Sequence, residues 1–338
     1  MVDPDVMIAL DGVGKRYPDG TVAVGDLSLD VHRGEVVALV GPSGCGKSTT
    51  LRMVNRLVEP TSGRILLDGE DVTATDPVRL RRRIGYVIQR VGLFPHRTVG
   101  ENVATVPELL GWDRTLVRQR VGELLDLVGL PAATYADRYP HELSGGQQQR
   151  VGVARALAAD PPVLLLDEPF GAVDPVQRER LQDEFTTIRT RLGTTALFVT
   201  HDLDEAVRVA DRVAVLGPGG RLDQLADPAT LLAAPANDAV AAFVGADAGV
   251  RRMAVTPLLA EDLEPAGPLA GGPAAGVPPL RLGASVRDAF TALAARDDAR
   301  LPVVDETGAV VGVVTPGALH AALRRGAGGS ARPVPAGG

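Results

Sequence analysis

A glycine-rich segment between an apolar run and a helical stretch constrains the fold of this chain more than any other feature. Residues 41–48 match the pattern Gly-x-x-x-x-Gly-Lys-Ser of loops that cradle phosphates. Residues 35–40 predict a buried strand before the loop, and residues 49–57 predict a helix after it. Backbone N–H groups without side-chain bulk can wrap phosphate oxygens closely. The sequence therefore predicts a nucleotide-phosphate site in an α/β fold.

The residues of this loop have distinct expected roles. Lys47 is one of only two lysines among 35 basic residues, and we expect it to reach the β- and γ-phosphates as a compact charge. The Ser48 hydroxyl is expected to bind Mg²⁺, which bridges the same oxygens. The predicted ligands are thus ATP and Mg²⁺. The loop residues expected to contact the nucleotide are Gly41, Pro42, Ser43, Gly44, Cys45, Gly46, Lys47, Ser48 and Thr49.

A second apolar run, residues 163–166, ends in two carboxylates, Asp167 and Glu168. The run predicts a central parallel strand whose carboxyl end opens onto the ligand crevice. We expect Asp167 to hold Mg²⁺, and Glu168 to accept a proton from the water that attacks the γ-phosphate or to orient that water. An ordinary solvated acidic turn is the alternative for this feature taken alone.

Three further side chains lie next to strand-like runs. His201 follows the run 195–200, and we expect it to donate a hydrogen bond to the γ-phosphate, although a lone histidine at a strand end is usually structural. Gln89 closes the run 84–88 and is expected to bridge Mg²⁺ or the attacking water to the following loop. Tyr17 offers an aromatic face for adenine, with buried packing as its alternative role.

A second anion-binding sequence, Leu143-Ser144-Gly145-Gly146-Gln147, precedes a predicted helix at 148–159. A helix N-terminus with free N–H groups and a hydroxyl suits an anion. The first loop already holds one face of ATP. We therefore expect Ser144, Gly145, Gly146 and Gln147 to grip the γ-phosphate of ATP bound to another copy, so that hydrolysis depends on dimerisation. A serine-capped helix is the alternative.

Patterning along the chain predicts four regions. An α/β pattern occupies residues 1–245, and an Ala/Gly/Pro-rich linker follows at 246–279. Alternating helical and strand patterns predict a small second domain at 280–325, and residues 326–338 are expected to be disordered.

Composition argues against several classes of protein. The single cysteine, Cys45, excludes a disulfide within the chain and fits a reducing compartment. With a net charge of −7 and a pI near 5.3, the chain lacks the net positive charge typical of proteins that bind nucleic acid. We therefore expect no nucleic-acid partner. No run approaches the roughly 18 apolar residues of a membrane-spanning helix, and the first residues lack the pattern of a secretion signal. We therefore expect the chain in the cytoplasm.

In this order and spacing, the motifs resemble those of the ATPase subunit of ABC transporters, over about the first 245 residues. The resemblance implies a P-loop NTPase core with a β-subdomain and a helical subdomain, and a head-to-tail dimer that sandwiches two ATP molecules. Closure of the dimer on ATP binding and its reopening after hydrolysis would drive paired membrane subunits between inward and outward states. The resemblance depends on the phosphate loop, Gln89, 143–147, Asp167, Glu168, 171–174 and His201. It also implies that Asp174 contacts the nucleotide.

More narrowly, residues 84–89, 92–96 and 182–185 resemble those of importers for glycine betaine, carnitine and choline. That family implies two integral-membrane permease subunits, an extracytoplasmic substrate-binding protein and a position at the cytoplasmic face of the membrane. Its members often carry paired CBS modules, and residues 285–325 look like a single one. The linker would then hold a degraded first module. We expect the two chains of the dimer to pair their single modules.

Three rival functions stay open at this point. The chain could serve an importer for another small polar solute, because the ATPase never touches the cargo. It could be a non-transport ABC ATPase acting on nucleic acid or ribosomes, against which its acidic charge argues. It could also sense nucleotides without turnover, which the presence of Glu168 and His201 disfavours.

Overall fold

A computed structural model describes residues 3–88, 92–171, 175–266, 279–296 and 299–325 of the chain. The chain divides into two compact units, Met1–Asp223 and Gln224–Gly338. The predicted domain boundaries stay predictions. Part of the predicted linker, at 267–278, and the whole predicted tail, at 326–338, lie outside the described residues. Within the described part, no helix has the length and apolar character that a bilayer crossing requires.

The first unit alternates strands and helices as the sequence predicts. Its strands are β1 (Val6–Arg16), β2 (Val22–His32), β3 (Val36–Val40), β4 (Ser62–Leu67), β5 (Glu70–Asp71), β6 (Ile84–Val87), β7 (Val163–Asp167), β8 (Thr195–Val199) and β9 (Arg212–Leu216), and β10 (Leu222–Ala226) spans the boundary between the units. Its helices are α1 (Lys47–Val54), α2 (Pro77–Arg82), α3 (Val99–Leu109), α4 (Arg114–Leu127), α5 (Ala132–Tyr135), α6 (Gly145–Leu157), α7 (Pro175–Leu192) and α8 (Leu203–Val209), with 3₁₀ turns at Pro140–Glu142 and Pro218–Gly220.

The central sheet positions the candidate site. Within this unit its strand order is β9-β3-β8-β7-β6, and these neighbours pair in parallel. Every residue of β3, β7 and β8 is buried, which explains their unbroken runs of apolar residues. Asp167 pairs with Val199 in register. The carboxyl ends of β3, β7 and β8 therefore meet at one edge, which brings the phosphate loop, Glu168 and His201 together.

Two further layers complete this unit. Strands β2, β1, β4 and β5 form an antiparallel sheet in that order, and helices α3 to α6 pack on one another. They correspond to the β-subdomain and the helical subdomain that the resemblance implied. The predicted P-loop fold of this unit is thus confirmed.

The second unit contains a small α/β module. Its elements are α9 (Pro228–Ala233), α10 (Asp238–Val244), α11 (Ala248–Val255), a 3₁₀ turn (Ala260–Asp262), β11 (Leu280–Arg281), α12 (Val286–Ala294), β12 (Leu301–Val304), β13 (Val310–Val314) and α13 (Pro316–Arg325). From α12 to α13, helix, strand, strand and helix follow in the order that the sequence predicts. The structure adds residues before 280 to this module, because Leu258 is fully buried in its core and Glu264 bridges to Val313.

Candidate active site

Two positions of the phosphate loop admit only glycine. Gly46 has a φ of +97°, and a Cβ there would lie 2.3 Å from the Ala23 carbonyl oxygen. At Gly41, with a φ of +142°, a Cβ would lie 2.2 Å from the Leu216 carbonyl oxygen. The left-handed backbone and these close approaches explain why the sequence places glycine at both ends of the turn. The loop leads directly into α1, whose N-cap is Gly46.

Lys47 is buried within the loop itself, with 8% of its surface exposed. Its Nζ donates hydrogen bonds to the carbonyl oxygens of Gly41, at 2.8 Å, and Pro42, at 3.0 Å. A buried ammonium needs such acceptors. A phosphate oxygen would be a stronger partner because the resulting hydrogen bond carries charge on both sides.

The side chains of Ser48 and Asp167 supply two neighbouring oxygen atoms of the kind that binds a hard metal ion. The Ser48 hydroxyl donates to Asp167 Oδ1 at 2.9 Å, and Asp167 is 7% exposed. The described residues hold no group of three or more His, Cys, Asp or Glu that could bind a metal by themselves. Two protein oxygens fit Mg²⁺, which keeps several waters and takes further ligands from phosphates.

Burial raises the pKa of Asp167 above its ordinary value, and the hydrogen bond from Ser48 only partly offsets this effect. The ionised form is therefore disfavoured in the folded protein relative to the unfolded chain. Without metal, the resulting loss of stability is absent in acid. It grows as the pH rises from the unfolded-state pKa to the folded-state pKa, and it is fully present above the folded-state pKa.

Replacing Asp167 with Asn should consequently raise the Tm of the nucleotide-free protein at neutral pH, and the difference should disappear at acidic pH. We expect a gain of a few degrees at most, since about 1 kcal/mol corresponds to roughly 2–4 °C in a domain of this size. The same variant should lose the extra thermal stabilisation that Mg²⁺ adds to ATP. Thermal melts with ATP plus EDTA and with ATP plus Mg²⁺ test both parts. A wild-type response to Mg²⁺ would remove Asp167 from the metal site.

Glu168 and His201 lie in contact at the edge of the sheet. His201 Nδ1 is 3.0 Å from Glu168 Oε1, a distance at which the Nδ1–H tautomer of the ring donates to a carboxylate. Glu168 has a φ of +48°, an uncommon conformation for a side chain other than glycine, and its backbone N–H donates to the Val199 carbonyl at 2.9 Å. Backbone strain of this kind costs about 1–3 kcal/mol and clusters at functional sites.

One cleft of about 480 Å³ brings eight of the nineteen predicted residues together. Its lining residues are Ala23, Ser43, Gly44, Gly46, Lys47, Ser48, Thr49, Glu168 and His201. Sequence analysis did not single out Ala23, and an alanine in an edge strand gives no signal that could have identified it. The cleft combines an anion-binding loop with a carboxylate and an imidazole, which is a suitable arrangement for phosphate chemistry.

Other predicted residues lie outside this cleft. Of the described residues, neither Tyr17 nor Ser144 lines it. Tyr17 is half-buried, and the Lys15 ammonium lies 5.3 Å from its ring centroid, so adenine stacking stays a prediction. Ser144 caps α6: its hydroxyl accepts from the Gln147 N–H at 3.3 Å, while the Ser144 N–H donates to Gln147 Oε1 at 3.0 Å. Gln89 and Asp174 fall outside the described residues.

Comparison with known proteins identifies the family. A model described as ABC transporter matches residues 24–171. The glycine betaine uptake system ATP-binding protein YehX of Escherichia coli (strain K12) is 48% identical over 309 residues, which cover 91% of this chain and 97% of that protein. The chain belongs to the ABC transporter family. This confirms the predicted family and implies nucleotide binding.

Other ABC transporter proteins match over shorter spans. The glycine betaine/carnitine/choline transport ATP-binding protein OpuCA of Bacillus subtilis (strain 168) is 53% identical over 239 residues, covering 71% of this chain and 62% of that relative. The chain thus spans less than two thirds of this longer relative. A dimeric structure of the ATP-binding cassette MJ0796 in a post-hydrolysis state, bound to ADP and Pi, is 34% identical with a TM-score of 0.59, and the match covers 66% of this chain and 99% of the cassette.

Proposed function

We propose that this chain hydrolyses ATP to energise the import of a quaternary ammonium osmoprotectant of the glycine betaine, carnitine and choline class. The contact between Glu168 and His201, in the same cleft as the phosphate loop, carries the catalytic part of the proposal. The substrate class is supported by two relatives: the name of YehX states glycine betaine uptake, and the name of OpuCA states glycine betaine/carnitine/choline transport.

In the proposed reaction the loop and Lys47 bind the triphosphate, and Ser48 and Asp167 hold Mg²⁺, with Gln89 as a further predicted ligand. Bound Mg²⁺ would neutralise charge on the phosphate oxygens. Glu168 would accept a proton from the attacking water. A neutral imidazole carries one N–H, so His201 can donate to Glu168 and to a phosphate at the same time only when protonated.

The second phosphate site would act between two copies of the chain. Ser144 and Gly145 are exposed at the N-terminus of α6, away from the cleft lining of their own chain. This placement supports a head-to-tail dimer in which each α6 meets the ATP bound to the other copy. The solved cassette bound to ADP and Pi is dimeric, which supports a dimer of this chain by likeness.

Replacing Ser144 with Arg should block hydrolysis while leaving ATP binding by the single chain largely intact, because the added bulk and charge would fill the space between the copies. Losing the helix cap alone costs about 0.5–2 kcal/mol, so Ser144→Ala is the matched control for stability. We expect Ser144→Ala to retain far more activity than Ser144→Arg at similar Tm. Equal activities of the two variants would contradict the shared site.

An uptake assay tests the proposed cargo. A strain that lacks the gene should lose accumulation of labelled glycine betaine, carnitine or choline, and should regain it with the wild-type gene but not with Glu168→Gln. A second candidate cargo is another small polar solute. It is favoured by relatives named for trimethylamine N-oxide transport and for spermidine/putrescine import, each 48% identical over about 70% of this chain. Unchanged uptake of all three quaternary amines would favour it.

The proposed partners are two permease subunits and an extracytoplasmic substrate-binding protein, with the chain at the cytoplasmic face of the membrane. Co-purification of a tagged full-length chain with integral-membrane proteins would support this assembly. Co-purification with ribosomes or RNA would instead favour a non-transport ATPase. Pairing of the small modules across the dimer stays a prediction.

A further inference from the structure

The backbone just before His201 is fixed by buried hydrogen bonds. Thr200 is 1% exposed, and its hydroxyl donates to Glu205 Oε2 at 2.7 Å. The same hydroxyl oxygen accepts from the Asp202 N–H at 3.0 Å, and the Thr200 N–H donates to the Leu39 carbonyl at 3.3 Å. Thr200 is thus tied both to strand β3 and to helix α8.

The residue after His201 is held as well. Asp202 Oδ1 accepts from the N–H groups of Asp204, at 2.8 Å, and Glu205, at 3.4 Å, and so caps α8. Asp202 Oδ2 lies 3.5 Å from Arg178 Nη1, on helix α7. The short segment that carries the imidazole is therefore anchored on both sides, by Thr200 and by Asp202.

Glu205 and Arg178 connect these two anchors. Glu205 is 4% exposed, with Oε2 on the Thr200 hydroxyl and Oε1 3.7 Å from Arg178 Nε. Burial raises the pKa of Glu205, whereas the Thr200 hydrogen bond and the charge of Arg178 act in the opposite direction. A buried carboxylate is costly unless it is paired and hydrogen-bonded. Oε2 of Glu205 accepts a hydrogen bond, and Oε1 faces the positive charge of Arg178.

Helix capping alone does not explain this arrangement. Asp202 caps α8 with its own carboxylate, and the cap needs neither the Glu205 carboxylate nor the Arg178 guanidinium. Arg178 belongs to α7, the first helix after Glu168, whereas Glu205 belongs to α8, the first helix after His201. The Glu205–Arg178 pair therefore links the helix that follows Glu168 to the helix that follows His201. The side chains of Glu168 and His201 meet at 3.0 Å in the cleft.

We propose that Glu205 and Arg178 are positioning residues, which hold the backbone on both sides of His201 and thereby keep the imidazole against Glu168 during ATP hydrolysis. This inference rests on the proposed function, because it concerns the same reaction. The two residues do not line the cleft, so they act on the rate through His201 rather than through the nucleotide.

The test uses the full-length chain, with Mg²⁺ and ATP as probes. Glu205→Gln keeps an acceptor for the Thr200 hydroxyl but removes the charge that faces Arg178. Thr200→Val removes the hydroxyl, and Thr200→Ser restores it. We expect kcat to fall about 10- to 100-fold in Glu205→Gln and Thr200→Val, as small displacements of catalytic groups do. The ATP affinity of both variants should stay within about twofold of wild type, and Thr200→Ser should recover most of the rate.

The chain offers a matched control for the salt bridge. Asp183 on α7 pairs with Arg208 on α8 at 2.9 Å, so Asp183→Asn breaks an exposed pair between the same two helices. We expect its kcat to equal the wild-type value. Thermal melts identify any variant that has lost its fold. If Glu205→Gln is unstable, the comparison of Thr200→Val with Thr200→Ser serves as the test.

A double-mutant cycle separates positioning from a general structural effect. In single-turnover assays, Glu205→Gln should cause no further loss in a His201→Ala background. A loss by the same factor in both backgrounds would overturn the proposal, as would a wild-type kcat in folded Glu205→Gln and Thr200→Val. Absence of ATP hydrolysis by the wild-type chain, in contrast, would refute the proposed function itself.

Discussion

Replacing Glu168 with Gln should lower the rate of ATP hydrolysis by about 10²–10⁴-fold, the usual contribution of a general base, while ATP binding is retained. The amide has almost the same shape, but it cannot accept the proton of the attacking water. It can still meet His201 through its oxygen. Phosphate release under saturating Mg²⁺ and ATP measures the rate, and equilibrium binding of a fluorescent ATP analogue measures the affinity.

The Glu168→Gln variant should also accumulate as an ATP-bound dimer, because the step that reopens the dimer would be blocked. Size-exclusion chromatography with and without ATP would show this change in mass. Glu70→Gln is a matched control, since Glu70 is exposed and pairs with Arg83 outside the cleft. Normal turnover by Glu168→Gln would remove Glu168 from its proposed role, and a monomer under all conditions would contradict the ATP-sandwich dimer.

Replacing Lys47 with Ala should weaken ATP binding by roughly 10- to 100-fold, since a charge-assisted hydrogen bond contributes about 1.5–3 kcal/mol. The buried Nζ also donates to the carbonyl oxygens of Gly41 and Pro42, so its removal leaves both acceptors without this partner. We therefore expect the nucleotide-free variant to melt at a slightly lower temperature than wild type.

Arg64→Ala controls for the loss of a positive charge, because Arg64 is exposed and pairs with Asp11 on the antiparallel sheet. Isothermal titration with ATP and Mg²⁺ should give wild-type affinity for this control. Wild-type affinity in folded Lys47→Ala would show that the ammonium makes no productive contact with the phosphates. The binding proposal would then rest on the backbone of the loop alone.

The local elements were predictable because their signals are local. Unbroken apolar runs marked β3, β7 and β8, and the glycine pattern marked the turn between β3 and α1. The helix, strand, strand and helix of the small module also followed from their periodicity. In contrast, the inclusion of Leu258 in the module core was not expected, because the short apolar pair Leu258-Leu259 after Pro257 carries no periodic signal.

By itself, the sequence determined which side chains stand at the ends of strands, and therefore which chemistry is available: an anion-binding loop, two carboxylates and an imidazole. Only the tertiary structure decided their pairing. The 3.0 Å contact of His201 with Glu168, the positive φ of Glu168 and the buried support from Glu205 and Arg178 join residues 27–33 positions apart or depend on backbone dihedral angles. Such relations arise because neighbouring parallel strands, which are far apart in the chain, bring distant residues to one edge of the sheet. No local pattern encodes which strands become neighbours.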